Sequence, residues 1–218
     1  MMISTGYGVL HQVLKSLAAI IFLTGNAHAQ PVTILALGDS LTAGYGLPQD
    51  AGFVPQLERW LNENGVDAEV VNGGVSGDTS AGGAARLGWA LSDDIDAVLV
   101  ALGGNDMLRG IDPQATYDNL DKILTELSVR NLPTLLIGIP GPANFGPEYK
   151  TAFDQGFVRL SQVHDVSLHE SFLSGLTDAA GSASDSLQYL QNDRLHPNAE
   201  GVGLIVEAIG PAVRGILP

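Results

Sequence analysis

The reading of this chain turns on "PVTILALGDSLTAGYG", residues 31–46. An unbroken apolar run, "VTILAL" (32–37), passes directly into Gly38-Asp39-Ser40-Leu41. The run lacks the polar alternation of a half-exposed strand, so it predicts a strand covered on both faces, as in a parallel sheet. Gly, Asp and Ser are ordinary turn formers. Taken alone, the four residues fit a plain strand exit as well as a nucleophile held at the carboxyl edge of a sheet. Deciding between them requires a base, an orienting acid and oxyanion donors elsewhere in the chain.

The pattern recurs. "AEVVN" (68–72), "AVLVAL" (97–102), "PTLLIGI" (133–139) and, more weakly, "VSLHES" (166–171) predict further strands. Between them lie helical periodicities. Phe53, Leu57, Trp60 and Leu61 share a face, and Gly65 is placed to end that helix. Asp112-Pro113 reads as an N-cap followed by Pro at the first helical position, ahead of a stripe of Tyr117, Leu120, Ile123, Leu124 and Leu127. The chain closes on "PNAEGVGLIVEAIGPAVRGIL", a helix in which Pro211 is expected to cause a kink or interruption. Trp60 and Trp89 read as core aromatics. Strand–helix alternation predicts an α/β fold with helices on both faces of a parallel sheet, and a ligand site at the carboxyl ends of the strands.

Composition narrows the function. The 218 residues hold 10 basic and 24 acidic side chains, a net charge of −14. Such an excess repels nucleic acid and anionic membrane surfaces. The absence of Cys removes disulfides, thiolate metal sites and a cysteine nucleophile together. At the amino end, Lys15, the apolar run Leu17–Leu23 and Ala27-His28-Ala29 form the pattern of an export leader cleaved after Ala29. That run is too short to span a bilayer. The expected organisation is therefore a signal peptide over 1–29 and one domain over 30–218, periplasmic or secreted, with no stable membrane anchor. A monomer is expected.

Each of the first three strands runs into a polar, glycine-rich exit: Gly38-Asp39-Ser40-Leu41, "NGGVSGDTS" (72–80) and "GGND" (103–106). Such exits let backbone N–H groups approach a ligand closely. Near the carboxyl end "NDRLHPN" (192–198) precedes the last helix, and beyond the leader the only histidines are His164, His169 and His196. Together "ALGDSLTAGYGL", "VVNGGVSGDTSAGGAARL", "VALGGNDMLRGIDP" and "NDRLHPN" resemble the SGNH (GDSL-type) hydrolase superfamily, in the branch of periplasmic acyl-thioesterases/lysophospholipases and bacterial arylesterases. The resemblance runs from about Val32 to Pro218. It implies a three-layer α/β/α, flavodoxin-like fold with a parallel sheet of about five strands. It also implies Ser40 as nucleophile, Asp193 and His196 as acid and base, and an oxyanion hole from Ser40, Gly77 and Asn105. Arg194 stands where relatives carry a small residue.

These residue types suit the chemistry. A serine hydroxyl must lose its proton as it attacks. An imidazole can take that proton and return it to the leaving group, provided a carboxylate fixes its tautomer. The competing elbow G-x-S-x-G is absent, as are the phosphate-binding glycine motifs, and no clustered metal-ligand set appears. No cofactor and no metal are expected. Of the remaining polar residues, Asp39 reads as structural, Asp78 and Thr79 as a helix cap, and Asp106 as either a cap or a site-orienting residue. Met107, Leu108, Ile111 and Phe145 are the expected walls of an acyl groove. The substrate implied by the resemblance is a small acyl ester or thioester. A carbohydrate acetylesterase and a non-catalytic binding protein on the same fold are the alternatives.

Overall fold

The computed structural model describes residues 30–180 and 185–217. The expected leader and its cleavage point after Ala29 lie outside them. In chain order the elements are β1 (Val32–Gly38), α1 (Ser40–Ala43), α2 (Phe53–Glu63), β2 (Ala68–Gly74), α3 (Ser80–Ala90) and β3 (Ala97–Ala101). They continue as α4 (Gly104–Leu108), α5 (Pro113–Val129), β4 (Thr134–Ile137), α6 (Pro147–His164), β5 (Ser167–His169), α7 (Ser174–Ala180) and α8 (Ala199–Ile216). The strands form one sheet in the order β2-β1-β3-β4-β5, every pair parallel.

Side chains alternate across a strand, and β1 uses both faces. Ile34 and Ala36 point into a core shared with Phe53, Leu57 and Leu61 of α2 and Val202, Ile205 and Ile209 of α8. Leu35 and Leu37 point the other way, towards Leu87 of α3, Leu120 and Ile123 of α5 and Phe157 of α6. Each fully covered Leu or Ile contributes about 1.5–3 kcal/mol, and both faces are lined with them. The result is the three-layer α/β/α arrangement that the unalternated runs predict.

The caps follow the sequence closely. Asp112 accepts from Gln114 N–H at 2.9 Å with Pro113 in the first turn of α5, and Thr79 caps α3 through Gly82 N–H at 3.3 Å. Asp78 does not share that cap; its carboxylate pairs with Arg86 at 2.6 Å. One expectation is corrected and one narrowed. Trp89 is 94% exposed rather than in the core, because α3 turns Ser80, Gly83 and Leu87 inward and a residue two beyond Leu87 lies across the helix axis. Helix α8 runs through Pro211 without interruption. Pro211 is exposed, so the carbonyl it leaves without a donor can be hydrated. Trp60 is half-buried and donates its indole N–H to Glu207 at 3.0 Å.

In this strand order the connection leaving β1 runs towards β2 on one side, and the connection leaving the neighbouring β3 runs towards β4 on the other. The crevice at such a reversal, at the carboxyl ends of the strands, is where open α/β sheets bind ligands. Ser40 follows β1, and Gly104-Asn105 follow β3.

Candidate active site

The position of Ser40 is set by the way β1 becomes α1. A Cβ on Gly38 would collide with the side chain of Thr42, so only glycine lets the helix fold back this tightly. Asp39 is the N-cap of α1, accepting Leu41 N–H at 3.0 Å on one oxygen. Its other oxygen accepts the Asn105 side-chain amide at 3.2 Å. The reading of Asp39 as structural thus needs widening: one buried carboxylate ties the exit of β1 to the exit of β3. Burial pushes the Asp39 carboxyl above its ordinary range, against the opposing pull of Leu41 N–H, the Asn105 amide and nearby His196.

Ser40 opens α1, and its Oγ lies 2.9 Å from His196 Nε2. His196 Nδ1 lies 2.7 Å from Asp193 Oδ2. Asp193 Oδ1 accepts the backbone N–H groups of Leu195 and His196, each at 3.0 Å. Asp193 and His196 therefore share one tight turn, closed by Arg194 in the left-handed region at φ 57°. These hydrogen bonds, the one to the His196 ring foremost, pull the Asp193 carboxyl down to about 2. It is ionised wherever an imidazole titrates.

The turn is fastened to the nucleophile's side by Gln191. Its Nε2 donates to Tyr45 O at 2.8 Å and Pro197 O at 2.9 Å, and its N–H donates to His196 O at 2.7 Å. The Tyr45 ring packs on the imidazole at 4.7 Å between centroids. The other histidines among the described residues are engaged elsewhere: His164 Nε2 with Asp121 at 2.8 Å, His169 Nε2 with Ser174 Oγ at 3.0 Å. Burial pushes the pKa of His169 below its ordinary value.

The expected oxyanion donors come from three neighbouring strand exits. Gly77 sits at φ 83°, the third residue of a turn closed by Asp78 N–H on Val75 O at 3.0 Å. Among the described residues, neither Ser40 N–H nor Gly77 N–H meets a protein acceptor. Asp106 is only 1% exposed, and its carboxylate is turned to α3 and α5. It accepts Ser80 N–H at 2.8 Å, Ser80 Oγ–H at 2.5 Å and Thr116 Oγ1–H at 3.3 Å. The start of α3 is thereby bound to the helix that carries Asn105.

A cavity of about 310 Å³ opens beside Ser40 and His196, with Met107, Leu108, Ile139, Leu173 and Leu195 among its lining. Met107 and Leu108 therefore lie where the sequence places them. Ile111 and Phe145 do not line the cavity. Tyr149 Oη donates to the Ile111 carbonyl at 2.9 Å, and the Phe145 ring packs on Tyr149 at 5.1 Å. Sequence reasoning missed Leu173, Leu195 and Thr177, which reach the cavity from the later part of the chain. No clustered group of metal-ligating side chains occurs among the described residues.

Comparison with known proteins agrees with this geometry. The model of the GDSL-like lipase/acylhydrolase family matches residues 36–204. Esterase TesA of Pseudomonas aeruginosa is 35% identical over 206 residues, covering 94% of this chain and 98% of its own. Thioesterase 1/protease 1/lysophospholipase L1 of Escherichia coli K12 is 37% identical over 190 residues, 86% of each chain. The crystal structure of the psychrotrophic esterase EstA from Pseudoalteromonas sp., inhibited by monoethylphosphonate, is similar at 34% identity and a TM-score of 0.75, covering 84% of this chain and 97% of that one. With a family match spanning most of its length, the chain belongs to the GDSL-like lipase/acylhydrolase family, the SGNH hydrolases.

Proposed function

We infer that the protein is a serine esterase that hydrolyses carboxylic esters and acyl thioesters through an acyl-enzyme. The observation that carries this reading is the continuous path from Ser40 Oγ to His196 Nε2 at 2.9 Å and from His196 Nδ1 to Asp193 at 2.7 Å, beside an apolar cavity. The family relatives named above support the same class of reaction.

Asp193 holds the imidazole proton on Nδ1, which leaves Nε2 free to accept. Ser40 Oγ attacks the carbonyl carbon as its proton passes to Nε2, and the imidazolium that forms faces an ionised carboxylate. The carbonyl oxygen gains negative charge, for which Ser40 N–H, Gly77 N–H and the Asn105 amide are the donors. His196 then returns the proton to the departing alkoxide or thiolate, leaving the acyl group on Ser40. A water molecule, deprotonated by the same nitrogen, repeats the attack and releases the acid. The apolar lining favours an acyl chain over a sugar, whose hydroxyls would find few partners there.

In this reading residues 1–29 direct export, and the enzyme works as a monomer in the periplasm or outside the cell. No helix among the described residues is long and apolar enough to cross a membrane. The deciding experiment is hydrolysis of p-nitrophenyl butyrate by purified protein, with fluorophosphonate labelling of wild type and Ser40→Ala. Turnover and labelling in wild type alone support the reading. Unchanged labelling in the variant overturns the assignment of the nucleophile.

A further inference from the structure

The Gly77 N–H belongs to the Ser76–Gly77 peptide, the middle peptide of the Val75–Asp78 turn. Turns of this size have two common forms that differ by reversal of that peptide, and a positive φ at the third residue marks the type II form. Gly77 is exposed and has φ 83°. As glycine it adopts either sign of φ at little cost. The turn's own hydrogen bond occurs in both forms. A donor aimed at an oxyanion is also useless if the turn that carries it drifts from the other donors, so an exposed turn of this kind needs an anchor outside itself.

One side chain reaches the turn from the helix that bears Asn105. Arg109 is the C-cap of α4, where its N–H donates to Asn105 O at 3.2 Å. Its guanidinium Nη2 donates to Gly77 O at 2.8 Å. Among the described residues no carboxylate forms an ion pair with Arg109. A charged donor spent on a backbone carbonyl of the oxyanion turn therefore stands out in a chain with 24 acidic side chains. Beneath it, Asp106 ties α4 to Ser80, so the Gly77–Ser80 segment is fastened to α4 at both ends.

We propose that Arg109 is a positioning residue: by tying the Gly77 carbonyl to the end of α4, it fixes the place of the Val75–Asp78 turn relative to α4, so that Gly77 N–H and the Asn105 amide act together on one oxyanion. The proposal rests on the esterase reading. Arg109 does not touch the reacting atoms; it fixes the place of the turn that supplies a donor.

The test compares wild type with Arg109→Ala and Arg109→Lys on a neutral ester, p-nitrophenyl butyrate, and on an anionic acyl-CoA thioester. Arg109→Ala is expected to lower kcat on both substrates by roughly 10- to 100-fold, the range for misplacing a catalytic group by about 1 Å, with KM nearly unchanged. Affinity for a boronic acid inhibitor should fall by a similar factor, because it mimics the tetrahedral state. Millimolar guanidinium should restore part of the Arg109→Ala rate, and Arg109→Lys should retain more activity than Arg109→Ala. The thermal midpoint should be preserved, since the side chain is exposed. A rise in KM confined to the anionic thioester would show that Arg109 recognises a leaving group and would overturn the proposal. So would wild-type kcat and inhibitor affinity in Arg109→Ala. If Arg109→Ala folds poorly, Arg109→Met takes its place, keeping the aliphatic stem without the donor, and wild-type kcat and inhibitor affinity there overturn the proposal. Failure of wild type to hydrolyse the ester or take a fluorophosphonate label would instead defeat the esterase reading.

Discussion

Replacing Asp193 by Asn probes the turn that carries both acid and base. In the native turn Oδ1 receives two backbone N–H groups at 3.0 Å, and Oδ2 faces His196 Nδ1 at 2.7 Å. An asparagine must choose which end of its amide faces which partner. Two backbone donors hold the carbonyl oxygen where Oδ1 was, because the reverse orientation would set an NH₂ against two N–H groups. The amide nitrogen is then left facing Nδ1. The imidazole must answer as an acceptor there, which puts its proton on Nε2, where it can no longer take one from Ser40. The expected loss is about 10⁴-fold in kcat, the size found when a triad imidazole is held in the wrong tautomer. Steady-state hydrolysis of p-nitrophenyl butyrate measures it, with circular dichroism confirming that the fold is kept. A kcat within tenfold of wild type would mean that the carboxylate does not select the tautomer, and the assignment of Asp193 would fall.

Other expectations follow from single contacts. The Thr42 hydroxyl is buried and has no hydrogen-bond partner among the described residues, so the near-isosteric Thr42→Val should stabilise by about 1–3 kcal/mol; a lower urea midpoint would contradict this. Met107→Ala should move the acyl-length optimum of kcat/KM towards longer chains, at about 0.8 kcal/mol for each buried CH₂, whereas Phe145→Ala should leave the profile unchanged because that ring packs on Tyr149. Acid unfolding gives a further check. Asp193 has its carboxyl lowered from 3.8 to about 2 on folding, so it adds stability above pH 3.8 that is lost as pH falls through about 2. Asp39, raised by burial, works in the opposite sense: its protonated form stabilises below pH 3.8, and this is lost as pH rises through its folded value. The urea-midpoint difference between wild type and Asp193→Asn should therefore shrink from pH 5 to pH 2, and a constant difference would refute the linkage.

How much of this was legible depends on range. Strands β1 and β3 were readable because a strand buried on both faces has no polar side to interrupt its run. The Asp112 and Thr79 caps were readable because a cap is a contact between residues two or three apart. Residues Ser40, Asn105, Asp193 and His196 were singled out from family blocks rather than from any local periodicity, and the structure sets them around one crevice. The misses share a cause. Leu173, Thr177 and Leu195 reach the cavity through loop paths that no spacing encodes. Phe145 was assigned to the groove from its strand exit alone, but the chain beyond β4 carries it to Tyr149 of α6. Trp89 shows the limit of residue type: hydrophobic character suggests burial, yet the helix phase set by Leu87 overrides it.

The two sides of the crevice have different mechanical standing. Ser40 and Asn105 grow from strands locked between two helical layers and are joined by the buried carboxylate of Asp39. The base and its acid hang from a surface turn fastened mainly by one glutamine and by the turn's own backbone. In the esterase reading, the nucleophile and one oxyanion donor are thus built into the foundation of the domain, while proton transfer is fitted to it from a surface turn. For protein engineering, the segment from Gln191 to Pro197 is the place to retune access without recasting the sheet: Leu195, which lines the cavity, can be varied while Gln191, Asp193 and His196 are kept.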